Sequence, residues 1–153
     1  MAIFSFFKKK AFFSDHQKHQ IEDTIRKAEK KTSAEIRVFV ESHNYLVDPL
    51  ERAKEVFLLL NMDKTAKRNA VLIYIAIKHR ELALFADEGI YNLVGKDFWN
   101  HAVQEMIKHF KSDNIVKGIE NCIEQIGQTL KDKFPYDAGT DENELPDDIV
   151  FGD

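Results

Sequence analysis

The sequence predicts an α/β fold, a small mixed sheet with helices on both faces. Three observations predict it. Helical and strand-like hydrophobic periods follow one another in the order α-β-α-β-β-α-α, ahead of an acidic stretch. The segment Ala70-Val-Leu-Ile-Tyr-Ile-Ala-Ile77 is apolar on both faces, as a central strand covered from both sides has to be. A chain of 153 residues, 44% hydrophobic and 31% charged, is the size and composition of one soluble domain with a core of its own.

Each element has a local reason. Ser14-Asp-His-Gln17 fits a capping box, and Ile21, Ile25 and Ala28 behind it share one helix face, so a helix is expected to about Lys31. Glu35-Ile-Arg-Val-Phe-Val-Glu41 alternates, with Ile36, Val38 and Val40 on one side and Arg37 and Phe39 on the other, and reads as a strand. Asp48-Pro49-Leu-Glu51 starts a second helix, with an Asp cap and Pro at the first position; Leu50, Ala53, Phe57 and Leu60 are its expected buried stripe. The apolar strand from Ala70 follows. Lys78-His-Arg80 then breaks the chain before Glu81-Leu-Ala-Leu-Phe-Ala86, which is expected to pair antiparallel with it. A helix from about Lys96 to Phe110 carries Trp99, Val103, Met106 and Phe110 on one face. A last one buries Ile115, Ile119, Cys122, Ile126 and Leu130 before Phe134-Pro135 stops it. The strand-helix-strand unit calls for a right-handed crossover and hence a parallel pair. A fourth strand is available from the connecting segments or from Ile149-Val-Phe151.

One domain is expected over residues 1–153, divided into an N-terminal segment (1–13), a packed body (14–135) and an acidic C-terminal extension (136–153). From Asp137 to Asp153 there are seven acidic residues and no basic one, and the rest holds 22 basic against 19 acidic residues. The body therefore lacks the strong basic field of a nucleic-acid binder. The tail reads as a cation ligand, a negative arm or solubilising charge. Six Gly, three Pro and a single Cys exclude collagen-like chains, disulfide scaffolds and four-Cys zinc modules. The start has its apolar run before its lysines, unlike a secretory signal, and no run reaches the length of a spanning helix, so a cytoplasmic protein is expected. Phe4, Phe6, Phe7 and Lys8 to Lys10 suit a frayed end, a strip docked on the domain, or weak peripheral contact with a membrane.

Three blocks then carry a resemblance. Thr32-Ser-Ala-Glu35-Ile-Arg-Val38 after the first helix, Arg68-Asn-Ala-Val-Leu-Ile-Tyr74 leading the central strand, and Asp87-Glu-Gly-Ile90 after the hairpin resemble, in order and spacing, the TPM domain, the thylakoid-lumen-phosphatase-like family. Asn143-Glu-Leu-Pro-Asp147 is similar to an extension of stand-alone bacterial relatives. The resemblance implies a three-layer α/β/α sandwich on a four-stranded sheet, divalent cation binding, and a phosphatase activity that only some members have. Relatives tend to carry Gly in place of Ala70 and a tighter glycine turn near Ala86 and Asp87.

The candidate chemistry is that of hard oxygen ligands. Calcium takes six to eight oxygens, and Asp137, Asp141 and Asn143 stand at positions 1, 5 and 7 of a loop, with Glu144 beside them and Asp148 at position 12, although Glu142 stands where an EF-hand has glycine. Asp87 and Glu88, at a strand end, are the expected second loop. The expectation is thus a calcium-type (or magnesium) site formed by Asp87, Glu88, Asp137, Asp141, Asn143 and Glu144, whose ion orders loops for a regulatory or partner-binding role. A metal-dependent acid phosphatase and a metal-free interaction module are the alternatives. For phosphoester chemistry no Asp-x-Asp, P-loop or Gly-x-Ser-x-Gly occurs, and Cys122 lies mid-helix among isoleucines. Arg68 or Arg80 can clamp a phosphate, although for Arg68 an ion pair with a loop carboxylate is the favoured reading. His101, Glu105 and His109 share a helix face that reads as solvated, as do His16 and His19, and His43 and His79 stand in loops with no partner evident.

Overall fold

Four strands stand in the order β3-β2-β1-β4 in the computed structural model, which describes residues 12–45, 48–136 and 145–152. β1 (Glu35–Glu41) and β2 (Ala70–Ala76) run parallel, Glu35 opposite Ala70 through Glu41 opposite Ala76. β3 (Glu81–Ala86) returns antiparallel on β2, and β4 (Val150–Phe151) lies parallel on the other edge of β1. The fourth strand thus comes from the far end of the acidic extension.

Among the described residues five helices flank this sheet: α1 (Asp15–Glu29), α2 (Pro49–Leu59), α3 (Tyr91–Val94), α4 (Lys96–Lys111) and α5 (Ile115–Leu130). The alternation of β1 decides which face meets which helices. Ile36, Val38 and Val40 join Val71, Ile73 and Ile75 under α1, α4 and α5. Phe39 joins Leu72, Tyr74 and Ala83 under α2, whose Ala53, Val56 and Phe57 complete that second core. The result is a three-layer α/β/α sandwich on a mixed sheet.

Local signals act as expected at both caps read from the sequence. Ser14 Oγ accepts from the Gln17 N–H at 3.1 Å, and Gln17 Oε1 accepts from the Ser14 N–H at 2.9 Å, closing the capping box. Asp48 Oδ1 accepts from the Leu50 N–H at 2.9 Å with Pro49 at the first helical position. Two details differ from the sequence reading. α1 ends at Glu29 because Lys30 and Lys31 close a turn and Thr32 forms a bridge to Pro135. In α2 Leu50 is 47% exposed and Val56 is buried instead. Arg52, half a turn further on, already meets Glu41, the last residue of β1, so Leu50 projects beyond the end of the sheet. Among the described residues no helix is long and apolar enough to cross a membrane.

Candidate functional site

The N-terminal ends of β1 and β2 and the C-terminal end of β3 share one end of the sheet, and a tight corner forms there. The Asp87 N–H donates to the Ala70 carbonyl at 3.0 Å, and the Asp87 carbonyl accepts from the N–H groups of Ile90 and Tyr91, each at 3.1 Å. Gly89 is required at this corner. Its N–H donates to the Arg68 carbonyl at 2.9 Å, and a Cβ there would fall 2.3 Å from the Lys67 carbonyl oxygen and 2.4 Å from that of Arg68. Arg68 itself holds a left-handed backbone, φ 51°, which bulky residues seldom adopt and which marks a position held by its surroundings.

That turn lays the guanidinium on the carboxylate. Arg68 Nε donates to Asp87 Oδ2 at 2.8 Å and Nη2 to Oδ1 at 2.9 Å, a bidentate pair, while Nη1 lies 3.2 Å from Glu88 Oε1. The Glu88 N–H also donates to Asp87 Oδ1, at 2.7 Å. Asp87 is buried, but the Arg68 and Glu88 side chains are 42% and 73% exposed. The two carboxylates read as ligands are therefore adjacent and face one arginine. Asp87 is engaged on both oxygens and Glu88 is open to solvent.

The acidic extension leaves and rejoins the body near the same end of the sheet. The Ser33 N–H donates to the Phe134 carbonyl at 2.8 Å, next to the Thr32–Pro135 bridge. Past residue 144 the chain docks again. Leu145 is buried on the α2 side and Ile149 on the α1 side, so these residues wrap around the edge of the sheet. The Ile149 N–H donates to Glu22 Oε2 at 3.1 Å, the Gly152 N–H donates to the Val40 carbonyl at 2.8 Å, and Phe151 stacks on Phe12. Docking also brings Asp147 onto Glu29, whose Oε2 accepts from the Ile36 N–H at 2.9 Å. Burial, then the hydrogen bond to Asp147, pushes the Glu29 carboxyl far above the usual carboxylate range. Between β1 and β2 at this end, the Asn69 amide donates to the Ser33 carbonyl at 3.2 Å. Asn69 Oδ1 and Ser33 Oγ are buried with no hydrogen-bond partner among the described residues.

Asp137, Asp141, Asn143 and Glu144 lie outside the described residues, as do Phe4, Phe6, Phe7 and Lys8 to Lys10. Among the described residues no three His, Cys, Asp or Glu side chains gather closely enough to hold a metal. His16 and His19 are exposed on α1. On α4, His101 is exposed, whereas His109 packs against Gly118 and lies 3.4 Å from the Asn121 amide, between two helices rather than in solvent. Burial pushes the Cys122 thiol up to about 12, so it carries no thiolate near neutral pH.

The opposite end of the sheet holds two groupings the sequence did not reveal. Glu41 is buried and accepts from Arg52 Nε and Nη2, each at 2.9 Å, and from the Tyr74 hydroxyl. Burial and the Glu41 carboxylate together push the Tyr74 phenol above its ordinary value. Beside them His43 and His79 meet, Nδ1 to Nε2, at 3.2 Å. The parallel register already contained this meeting. Glu41 opposite Ala76, continued two residues, sets His43 opposite Lys78 and next to His79.

An open α/β/α sandwich with a three-strand core, an edge strand returned from an acidic extension, and an arginine-locked acidic corner defines the class of protein. The TPM domain family matches residues 7–129, and the chain belongs to it. Among solved structures it is similar to the BA42 protein of the psychrophilic bacterium Bizionia argentinensis, at 37% identity and TM-score 0.86, covering 94% of this chain and 97% of that one. The N-terminal domain of the cg2496 protein from Corynebacterium glutamicum shares 13% identity at TM-score 0.62, over 78% of this chain and 74% of that one. An N-terminal domain from P. gingivalis shares 14% at TM-score 0.66, over 82% and 81%. These last two are likenesses of fold. No curated protein matches the chain.

Proposed function

We propose that the chain is a divalent-cation-binding domain of the calcium or magnesium type. In this reading the acidic extension and the Asp87–Glu88 corner supply oxygen ligands, and the bound ion orders the loops for a regulatory or partner-binding role in the cytoplasm. The observation that carries it is where the extension is tied down. Both its flanks, Phe134–Pro135 bound to Thr32 and Ser33 and Asp147 bound to Glu29 beside Ile36, meet the body near the N-terminal end of β1, the end that holds the acidic corner. A stretch of carboxylates anchored on both sides is confined near oxygen donors it would otherwise meet only rarely.

The donor chemistry at that end fits a hard cation. Asn69 Oδ1 is a buried acceptor with no donor among the described residues, and Glu88 presents a solvent-facing carboxylate. Asp137, Asp141, Asn143 and Glu144 would hold the ion from the extension and Glu88 from the body. Asp87 would join only by exchanging Arg68. The ion's contribution is charge neutralisation that lets several carboxylates share one place; the residues themselves position the loops.

The test is a thermal melt of chelator-stripped full chain titrated with calcium and with magnesium. A ligand of the folded state at 100 times its dissociation constant adds about 2.7 kcal/mol, and each kcal/mol raises Tm by about 2–4 °C for a domain this large. A saturable rise that is lost in the double variant Asp141→Asn, Glu144→Gln is expected. No rise with either ion overturns the reading.

A further inference from the structure

We propose that His43 and His79 form an acid-released latch that ties the loop following β1 to the turn between β2 and β3. The hydrogen bonds fix where the ring protons are. The Asn44 N–H donates to His79 Nδ1 at 3.1 Å, so that nitrogen carries a lone pair and the ring proton sits on Nε2. His79 Nε2 then donates to His43 Nδ1 at 3.2 Å, which leaves the His43 proton on its own Nε2. Both rings are neutral, and each is a link in a chain that starts at a backbone amide. The Asn44 side-chain amide adds a bond to Glu81 Oε1 at 3.1 Å, and the Lys78 N–H adds one to the Ser42 carbonyl at 2.9 Å.

A proton cannot enter this chain without breaking it. On His79 Nδ1 it would face the Asn44 N–H, donor against donor. On His43 Nδ1 it would face the His79 Nε2–H in the same way. The charged groups around the pair do not absorb the conflict. From β3, the Glu81 carboxylate lies 3.9 Å from His79 Nδ1, beyond hydrogen-bond reach, and already accepts from Asn44. In the turn, Lys78 is exposed and Arg80 reaches toward Asp113 after α4, at 3.8 Å. From α2, Arg52 is bound to Glu41. From the loop itself, Tyr45 stacks on His43 with ring centroids 5.6 Å apart and meets His79 edge-on at 6.2 Å. Proton uptake and loop release are therefore one event. The loop lies at the carboxyl ends of the two parallel strands, where open α/β sheets receive ligands, and it presents Tyr45 87% exposed. Acid frees that tyrosine from its two supporting rings.

The experiment uses the unmodified full chain. Two-bond nitrogen–proton correlation spectra at pH 8 should show both rings with the proton on Nε2. Protection of the Asn44 amide, after division by its intrinsic exchange rate, should fall about tenfold per pH unit below the transition, as for an opening that binds one proton. His79→Asn keeps an acceptor near the Nδ1 position without a titrating ring and should flatten this dependence. A His79 ring protonated on Nδ1 at pH 8, or Asn44 protection indifferent to pH, overturns the latch. So does a full pH dependence surviving in His79→Asn. The tautomer measurement needs no variant and decides the matter even where the substitution fails to fold.

Discussion

The two ends of the sheet hold the same chemical pair in different surroundings. At one end Arg52 grips Glu41 through two bonds of 2.9 Å; at the other Arg68 grips Asp87 through bonds of 2.8 and 2.9 Å. Both carboxylates are buried. The difference lies in the third member and in the guanidinium. Arg52 is mostly covered and shares Glu41 with the buried Tyr74, whereas Arg68 is nearly half exposed and shares its charge with the solvent-facing Glu88. Charges interact more strongly where water is excluded, so the Glu41 grouping is a fastening. The Asp87 corner is held by backbone geometry, with a cation on its outer side that solvent or another ion can replace.

That contrast can be broken at either end. The largest effect is expected for Arg52→Ala, which strands Glu41 as a buried charge and should lower stability by about 3–4 kcal/mol in urea unfolding. A loss below about 1 kcal/mol would place the two corners in one class. Gly89→Ala drives a methyl group into two backbone carbonyls and should lower stability by about 2 kcal/mol, with amide shifts concentrated from Lys67 to Tyr91. Spectra unchanged at Arg68 would show that the corner is not held by this close approach. Tyr74→Phe should lower stability by about 1–2 kcal/mol near neutral pH. Because folding raises the Tyr74 phenol, the stability it supplies is complete below about pH 10 and is lost as pH rises past that unfolded-state value. Unfolding free energies from pH 8 to 11 should fall in the parent chain and lose that part of the slope in the variant. Arg68→Ala should perturb the fold least. By freeing Asp87 Oδ2 and leaving Oδ1 only the Glu88 N–H, it should tighten calcium binding if the corner takes part in the site, and unchanged calcium affinity would assign the ion to the extension alone.

The sequence disclosed what is local and withheld what depends on register. Ser14 with Gln17, Asp48 with Pro49 and the alternation of β1 act within a few residues, and the structure contains each of them. Leu50 misled because a helical period tells which residues share a face, not how far the sheet beneath extends. Asp87 and Glu88 were recognisable as paired carboxylates at a strand end. The pairing of Arg68 with a loop carboxylate was also legible; that the carboxylate is Asp87, 19 residues later, needed the left-handed turn. His43 and His79, 36 residues apart, had partners only once β1 and β2 were aligned. Glu22 and Ile149, 127 apart, needed the extension to wrap around the sheet edge. Polar partners at such distances leave no period in the chain, because a single bond, unlike an apolar stripe, does not repeat.

β4 is two residues long and covers β1 only at Phe39 and Val40. Its pairing reaches only two residues, so it gains little ladder hydrogen bonding. Such a strand opens in partial unfolding well before the central pair does. When it lifts, the outer edge of β1 loses its pairing at Phe39 and Val40, where a strand of another chain can add. Conditions that loosen the short returning strand should therefore show first as concentration-dependent assembly, read by light scattering, rather than as loss of helix.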